Sequence, residues 1–152
     1  MKIALLALPL VAAAPPQNAP SRSTTETAPA TLRLHLFNVR NDEGDIHICM
    51  TQRVEAFMDC EDDPHAVTRR VKATRDEGIV DLKGLRPGQW TVLVLHDENG
   101  DGKMRTSMGI PREGFGFSRN PAIRMGPPRA DEVRFTLPPG PSVQQVKMKY
   151  IL

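Results

Sequence analysis

The chain has 152 residues, of which 14 are proline and 11 are glycine, and aromatic residues make up only 5% of it. This many helix-breaking residues excludes a long helical bundle or a coiled coil, and the length fits one folded domain. The formal net charge of +2 is too small to indicate a nucleic-acid-binding protein or one held on an anionic membrane surface.

The amino terminus has the pattern of an export signal. Lys2 is followed by a short apolar run and then by the small residues around Ala12, which predicts a signal peptide over residues 1–13. The alternative is a permanent anchor, but about 20 apolar residues are needed to span a bilayer and this run is much shorter. We therefore expect a periplasmic or secreted protein with no stable membrane span once the signal is removed.

Residues 14–30 are rich in Pro, Ser and Thr and contain no large apolar side chain. Such a segment cannot contribute to a hydrophobic core, so we predict a disordered linker. The folded domain is then predicted to cover residues 31–152.

Two cysteines in an exported chain indicate a disulfide, and we predict one between Cys49 and Cys60. The enclosed loop is short, and closing it would stabilise the fold by on the order of 3 kcal/mol. The alternatives are a free thiol pair or metal ligation together with His47 or His65, although the spacing matches no common zinc site.

Apolar and polar residues alternate with a period of two over most of the predicted domain, which is typical of strands. The predicted strands are Leu32–Leu36, Ile46–Met50, Ala66–Thr74, Gly78–Leu82, Gln89–His96, Glu132–Leu137 and Val143–Ile151. A turn at Asn41–Gly44 predicts that the first two form a hairpin in which His35 faces His47. The strand Gln89–His96 is apolar on both faces, which predicts a central position in its sheet.

Seven short strands separated by turns predict an all-β fold, a single antiparallel β-sandwich of the immunoglobulin-like or transthyretin-like type. A small barrel is the alternative. One long Gly/Pro-rich loop, Asp97–Ala130, interrupts the strands. Loops of this length in compact domains are functional, internally ordered or disordered, so this segment is the first place to look for a site.

The loop begins with D-x-N-x-D-G-K, the first half of a calcium-binding loop, in which alternate oxygens converge on one hard cation. The predicted ligands are Asp97, Asn99, Asp101 and the backbone carbonyl of Lys103. The alternatives are an ordinary turn, in which these carboxylates accept backbone N–H groups, or a different ion.

The second half of the calcium pattern is missing. Arg105 and Met108 stand at the ninth and twelfth positions, where the pattern expects oxygen ligands. Glu113 is the nearest carboxylate downstream, and it could serve as a ligand only if the loop folds back in a way that an EF-hand does not.

The segment Gly109–Asn120 alternates phenylalanines with glycines and carries several arginines. It predicts a ligand or partner surface formed by Arg112, Phe115, Phe117 and Arg119. The alternative is that the two phenylalanines anchor the loop on the sandwich. The local excess of basic residues would suit a phosphate or an acidic glycan.

Motifs for catalysis are scarce. The histidines show no H-E-x-x-H spacing, and no serine lies in a G-x-S-x-G turn. The weak catalytic candidates are His96, at the end of a strand, and Glu113, which could exchange protons with a substrate as an acid and base pair.

Two ordered motifs carry a resemblance to a known family: G-L-x-P-G-x-W-x-V-x-V-x-H-D-E-N-G-D-G-K over Gly84–Lys103, and G-I-P-R-E-G-F-G-F-S-R-N over Gly109–Asn120. From about Leu32 to its end the chain resembles the exported bacterial proteins grouped as domain of unknown function 2141. The resemblance implies a transthyretin-like or carboxypeptidase-regulatory-like sandwich and no particular activity. Members often carry Asp and Asn where this chain has Arg105 and Ser107.

We therefore expect a non-catalytic binding or accessory module of the bacterial cell envelope, stabilised by calcium, with Asp97–Ala130 as the surface for an envelope protein or glycan. No nucleic-acid partner and no other cofactor is expected. The alternative function is a periplasmic hydrolase-like or metal-dependent enzyme that uses the loop after His96.

Overall fold

The computed structural model describes residues 28–124 and 126–152. The predicted signal peptide and most of the predicted linker lie outside the described residues. The first strand begins at Ala30, whose side chain is fully buried, so the last residue assigned to the linker belongs to the folded domain. Over these two ranges, no helix has both the length and the apolar character needed to cross a membrane.

The described residues form ten strands, and the sequence alternation explains the longer ones. The strands are β1 (Ala30–Val39), β2 (Asp45–Thr51), β3 (Val67–Lys72), β4 (Asp76–Leu85), β5 (Gly88–Asp97), β6 (Thr106–Ser107), β7 (Ile110–Pro111), β8 (Gly114–Phe117), β9 (Phe135–Leu137) and β10 (Gly140–Lys147). A 3-10 helix, Val54–Asp62, follows β2, and a single helical turn, α1 (Ala130–Val133), precedes β9.

Two sheets pack face to face around one hydrophobic core. The smaller sheet has the order β10-β1-β4, and the larger has the order β3-β2-β5-β8 with β9 also paired to β5. Alternate residues of each sheet enter the core: Leu32, Leu34, Leu36 and Leu82 from the smaller sheet, and Ile46, Ile48, Met50, Val92 and Val94 from the larger. The predicted all-β sandwich and the central position of β5 are confirmed.

The smaller sheet is not purely antiparallel. β1 pairs antiparallel with β4 but parallel with β10, where Leu32 lies opposite Ser142. The prediction of an antiparallel sandwich therefore holds for every described pair except this one.

The predicted hairpin between the first two strands is wrong. β1 lies in the smaller sheet and β2 in the larger, so the turn Asn41–Gly44 crosses from one sheet to the other. His35 and His47 therefore do not face each other across a strand pair. Alternation identifies the face of a strand that is buried, but two strands that bury their faces in the same core can come from opposite sheets.

The carboxyl-terminal strands are also shorter than predicted. Glu132 belongs to α1, because its carboxylate accepts the backbone N–H of Arg129 at 2.7 Å and so starts a helical turn. β9 therefore begins only at Phe135. β10 covers Gly140–Lys147, so it begins before and ends before the predicted strand Val143–Ile151.

β8 lies inside the segment for which the sequence predicts no strand. All four of its residues, Gly114–Phe117, are buried. A Cβ atom on Gly114 would lie 2.2 Å from the Tyr150 ring, and one on Gly116 would lie 2.5 Å from Val146. The two glycines thus let the carboxyl-terminal segment pack closely on one face of β8, while the two phenylalanines of the motif point to the other face.

Candidate functional site

The predicted disulfide is present. Cys49 of β2 is bonded to Cys60 of the 3-10 helix, with their Cα atoms 6.1 Å apart. The bond fixes this helix against the outer face of the larger sheet. The free-thiol and metal-ligand alternatives for the two cysteines are therefore wrong.

The turn after β5 is organised by the carboxylate of Asp97, the last residue of that strand. Its two oxygens accept the backbone N–H groups of Gly100 at 2.8 Å, Asp101 at 3.2 Å and Gly102 at 2.8 Å. Gly102 has φ +77°, as the sharp turn at the sixth position of a calcium loop requires. The ordinary-turn alternative is correct for these hydrogen bonds, which leave the calcium prediction open.

Asn99 and Asp101 lie on the solvent side of the same turn. The Asn99 amide donates to one Asp101 oxygen at 2.8 Å, and the Lys103 backbone N–H donates to the other at 2.9 Å. These two donors hold the pKa of the Asp101 carboxyl below its ordinary value, with the Asn99 amide as the larger cause. The Asp101 carboxyl therefore stays charged to a lower pH than an ordinary aspartate does.

Glu113 returns to this turn because the chain folds back on itself. β6 and β7 form a short hairpin whose two-residue turn, Met108–Gly109, has positive φ at both positions, as a tight hairpin of this kind needs. β8 then pairs antiparallel with β5, with Gly114 opposite His96. The next position along this ladder places Glu113 beside Asp97.

One carboxylate oxygen from each of Asp97, Asp101 and Glu113 lies within 4.8 Å of the other two. The Glu113 side chain is only 3% exposed. Its Oε2 accepts the Arg105 backbone N–H at 2.9 Å, whereas its Oε1 is buried with no hydrogen-bond partner among the described residues. Like charges at opposing strand positions are destabilising, and a buried unpartnered oxygen adds a further cost.

His47 is a neighbour of this cluster that the sequence did not predict in this role. Its Nε2 lies 3.3 Å from Asp97 Oδ2, and its side chain is buried. The contact arises because Asp45 of β2 lies opposite Asp97 of β5, so that His47 occupies an adjacent position on the same two strands. This contact could be predicted only from the pairing of β2 with β5, which the sequence does not reveal.

His96 is a structural residue. It is completely buried, and its Nε2 donates to the Glu43 carbonyl at 2.8 Å because a carbonyl can only accept. In the neutral ring its Nδ1 then accepts the hydroxyl proton of Tyr150 at 2.8 Å, and the Tyr150 oxygen accepts the Arg40 backbone N–H at 3.1 Å. With both ring nitrogens engaged and no exposure, His96 is not placed to exchange protons with a substrate.

A polar cleft of about 470 Å³ adjoins the carboxylate cluster. Arg40 pairs with Glu98 through both carboxylate oxygens, which lowers the pKa of the Glu98 carboxyl. Arg112 lines this cleft rather than the surface formed by the two phenylalanines. Arg119 is also elsewhere, where its guanidinium donates to the backbone carbonyls of Asp131 and Arg134.

Phe115 and Phe117 are buried on the outer face of the larger sheet. Phe117 packs edge-to-face against Phe115 and against Phe57 of the 3-10 helix, with ring centroids 5.8 and 6.0 Å apart. Both phenylalanines thus anchor the segment, and both also line an apolar cavity of about 980 Å³ on this face. The structure therefore separates the four residues predicted to form one ligand surface into three places.

The fold and site together define a β-sandwich class of domain, with a carboxylate cluster at one end of its larger sheet. The family described as uncharacterised proteins conserved in bacteria, DUF2141, matches residues 34–145. The chain belongs to this family. Neither the curated proteins nor the solved structures contained a match.

Proposed function

We propose that this chain is an exported, non-catalytic binding or accessory module of the bacterial cell envelope, that it binds calcium, and that the Asp97–Ala130 segment is its interaction surface. The observation that carries the calcium proposal is the convergence of the Asp97, Asp101 and Glu113 carboxylates around a buried Glu113 oxygen that has no partner among the described residues.

A hard divalent cation would relieve both costs of this arrangement. It would neutralise the repulsion between opposing carboxylates and supply a partner for the unpartnered Glu113 oxygen. Oxygens on opposite sides of Ca²⁺ lie about 4.8 Å apart, since each Ca–O distance is about 2.4 Å. The Asn99 side chain and the Lys103 carbonyl are the further ligands that the loop pattern offers, and water would complete the shell.

Calcium would act on the interaction surface because the carboxylate cluster lies where the β6–β7 hairpin leaves and rejoins the larger sheet. The cluster joins the end of β5 to the start of β8, and the β6–β7 hairpin lies between them. A cation shared by Asp97 and Glu113 would therefore close the base of this hairpin. Export is supported by the amino-terminal sequence pattern and by a disulfide, which persists in oxidising compartments.

Calorimetric titration of Ca²⁺ into the chelator-treated, disulfide-intact protein tests the proposal. We expect one site per chain, with a dissociation constant no weaker than the millimolar range of extracellular calcium modules. Asp101→Asn should weaken binding at least tenfold. Asp76→Asn removes the same charge from an exposed position on the smaller sheet and should leave binding unchanged. No binding at millimolar calcium, or equal loss in both variants, contradicts the proposal.

A further inference from the structure

We infer that the apolar cavity on the outer face of the larger sheet binds a single-chain alkyl amphiphile with a cationic head group. The cavity has a volume of about 980 Å³ and a floor formed by Leu93, Leu95, Phe115 and Phe117. The inference rests on the proposed function in one respect, since the Asp97–Ala130 segment supplies one wall. It does not require calcium.

Large apolar side chains are exposed around this cavity. Met58, Met104, Ile110 and Ile151 line it and are between 36% and 50% exposed. Single exposed apolar residues are normal on a protein surface, but a contiguous group around a concave site indicates binding of an apolar ligand.

An alkyl chain fits the floor of the cavity better than a peptide or a glycan. The floor is the face of β5 and β8, whose backbone groups are engaged in the strand ladder. Peptide groups or sugar hydroxyls laid on this face would be buried without hydrogen-bond partners, which is unfavourable for each group. An alkyl chain has no such groups, and each methylene that it buries favours binding.

The charges at the rim favour a cationic head group. Asp59, Glu61 and Asp62 of the 3-10 helix line one side of the cavity, and Arg124 lies among the other lining residues. None of the three carboxylates forms an ion pair within residues 28–124 and 126–152. They are exposed acceptors for a positive group at the mouth of an apolar site.

Residues of the predicted linker do not match this cavity. Residues 14–27 contain no large apolar side chain, so they offer nothing to bury on the floor. A second copy of the chain, docked through the same apolar residues, is the competing occupant and is an outcome of the test below.

The experiment uses NMR of the disulfide-intact protein with ¹³C-labelled methionine methyl groups. The probe is dodecyltrimethylammonium below its micelle concentration, compared with uncharged dodecyl maltoside and anionic dodecanoate. We expect saturable shifts at Met58 and Met104. Met50 and Met148, which are fully buried in the main core, and Met108, which is 92% exposed and lies outside the cavity lining, serve as internal controls and should not move.

Two pairs of variants locate the site. Ile110→Glu should weaken binding of the probe at least tenfold, whereas Ile79→Glu, at an exposed isoleucine on the other sheet, should not. The double variant Asp59→Asn with Asp62→Asn should reduce the preference for the cationic probe over the uncharged one about threefold or more. Glu55→Gln, on the same helix but outside the cavity, is its control.

Unmoved Met58 and Met104 resonances, or shifts that include Met108 equally, would overturn the inference. Equal affinity for all three head groups would overturn its charge component. Concentration-dependent shifts of Met58 and Met104 without any probe would assign the cavity to a second copy instead. Every titration is run in chelator and in calcium. Probe binding to a protein that shows no calcium binding in the calorimetric titration would contradict the calcium proposal alone, and calcium binding without probe binding would contradict this inference alone.

Discussion

Glu113 lies beside Asp97 because β8 pairs antiparallel with β5. His96 lies opposite Gly114, so the adjacent residue of each segment, Asp97 and Glu113, brings its carboxylate to the same place. Glu113, just before β8, thus brings a third carboxylate to the turn that Asp97 begins. The cluster is a property of the strand register rather than of one continuous loop.

Gly44 should not tolerate a side chain. It has φ +66°, and a Cβ atom there would lie 1.9 Å from the Asp97 carbonyl oxygen. Gly44→Ala should therefore lower the free energy of unfolding by about 2 kcal/mol or more, from backbone strain and displacement of the end of β5.

Gly100→Ala is the matched control for this change. Gly100 has φ +75°, but a Cβ atom there would have no other atom within 4 Å, so only the strain of about 1–2 kcal/mol applies. Urea denaturation measures both variants. Equal losses would show that the contact with Asp97 has no effect on stability.

Tyr150→Phe should destabilise the fold through His96. The change leaves the buried Nδ1 of His96 and the Arg40 backbone N–H without their common partner, at a cost of about 1–3 kcal/mol. The ring itself remains to pack on Gly114. Thermal unfolding of this variant with no loss of stability would contradict the assigned hydrogen-bond chain.

The disulfide should contribute to stability on the order of 3 kcal/mol, because it closes the loop between Cys49 and Cys60. The double variant Cys49→Ala with Cys60→Ala measures this contribution by urea denaturation. The same loss should appear in the parent protein under full reduction. A variant as stable as the oxidised parent would contradict this prediction.

The pair between Arg40 and Glu98 should make stability depend on acid. The guanidinium lowers the pKa of the Glu98 carboxyl from its ordinary value of 4.5. This stabilisation is complete above that ordinary value and is lost as the pH falls through the lowered folded-state value. Glu98→Gln should therefore flatten the dependence of unfolding free energy on pH below about 4.5.

Asp81→Asn is the comparison for this pH dependence. Asp81 pairs with Arg33 on the exposed face of the smaller sheet, where solvent screens the charges. Its effect on the acid limb of the stability curve should be smaller than that of Glu98→Gln. An equal or larger effect would contradict the assignment of this acid dependence to Glu98.

The sequence predicts which residues of the main strands are buried, because alternation follows directly from the geometry of a strand. It does not predict which strands are neighbours, and this is why Leu34 and Ile48 proved to enter one core from opposite sheets instead of from the two strands of a hairpin. Strand β8 was not predicted because its alternate residues are glycines, so it lacks the usual alternation of polar and apolar side chains. The pattern of Gly114, Phe115, Gly116 and Phe117 is nevertheless a period of two.

Only part of the candidate site can be predicted from the sequence, again because strand pairing is not visible in it. Asp97 and Asp101 belong to one local turn, whose spacing is visible in the sequence. The contributions of Glu113 and His47 depend on pairings across three strands, which no local pattern encodes. His96 looked available at a strand end, but packing buries it completely.

The most direct test of the calcium proposal is the thermal midpoint of the disulfide-intact protein in chelator and in calcium, for the parent, Glu113→Gln and Glu43→Gln. Calcium at about 100 times its dissociation constant should stabilise the parent by about 2.7 kcal/mol, which raises the midpoint by roughly 5–10 °C. Glu113→Gln should lose this rise, and Glu43→Gln, at an exposed glutamate of the adjoining cleft, should keep it. No rise in the parent, or a rise that survives in Glu113→Gln, would contradict the account.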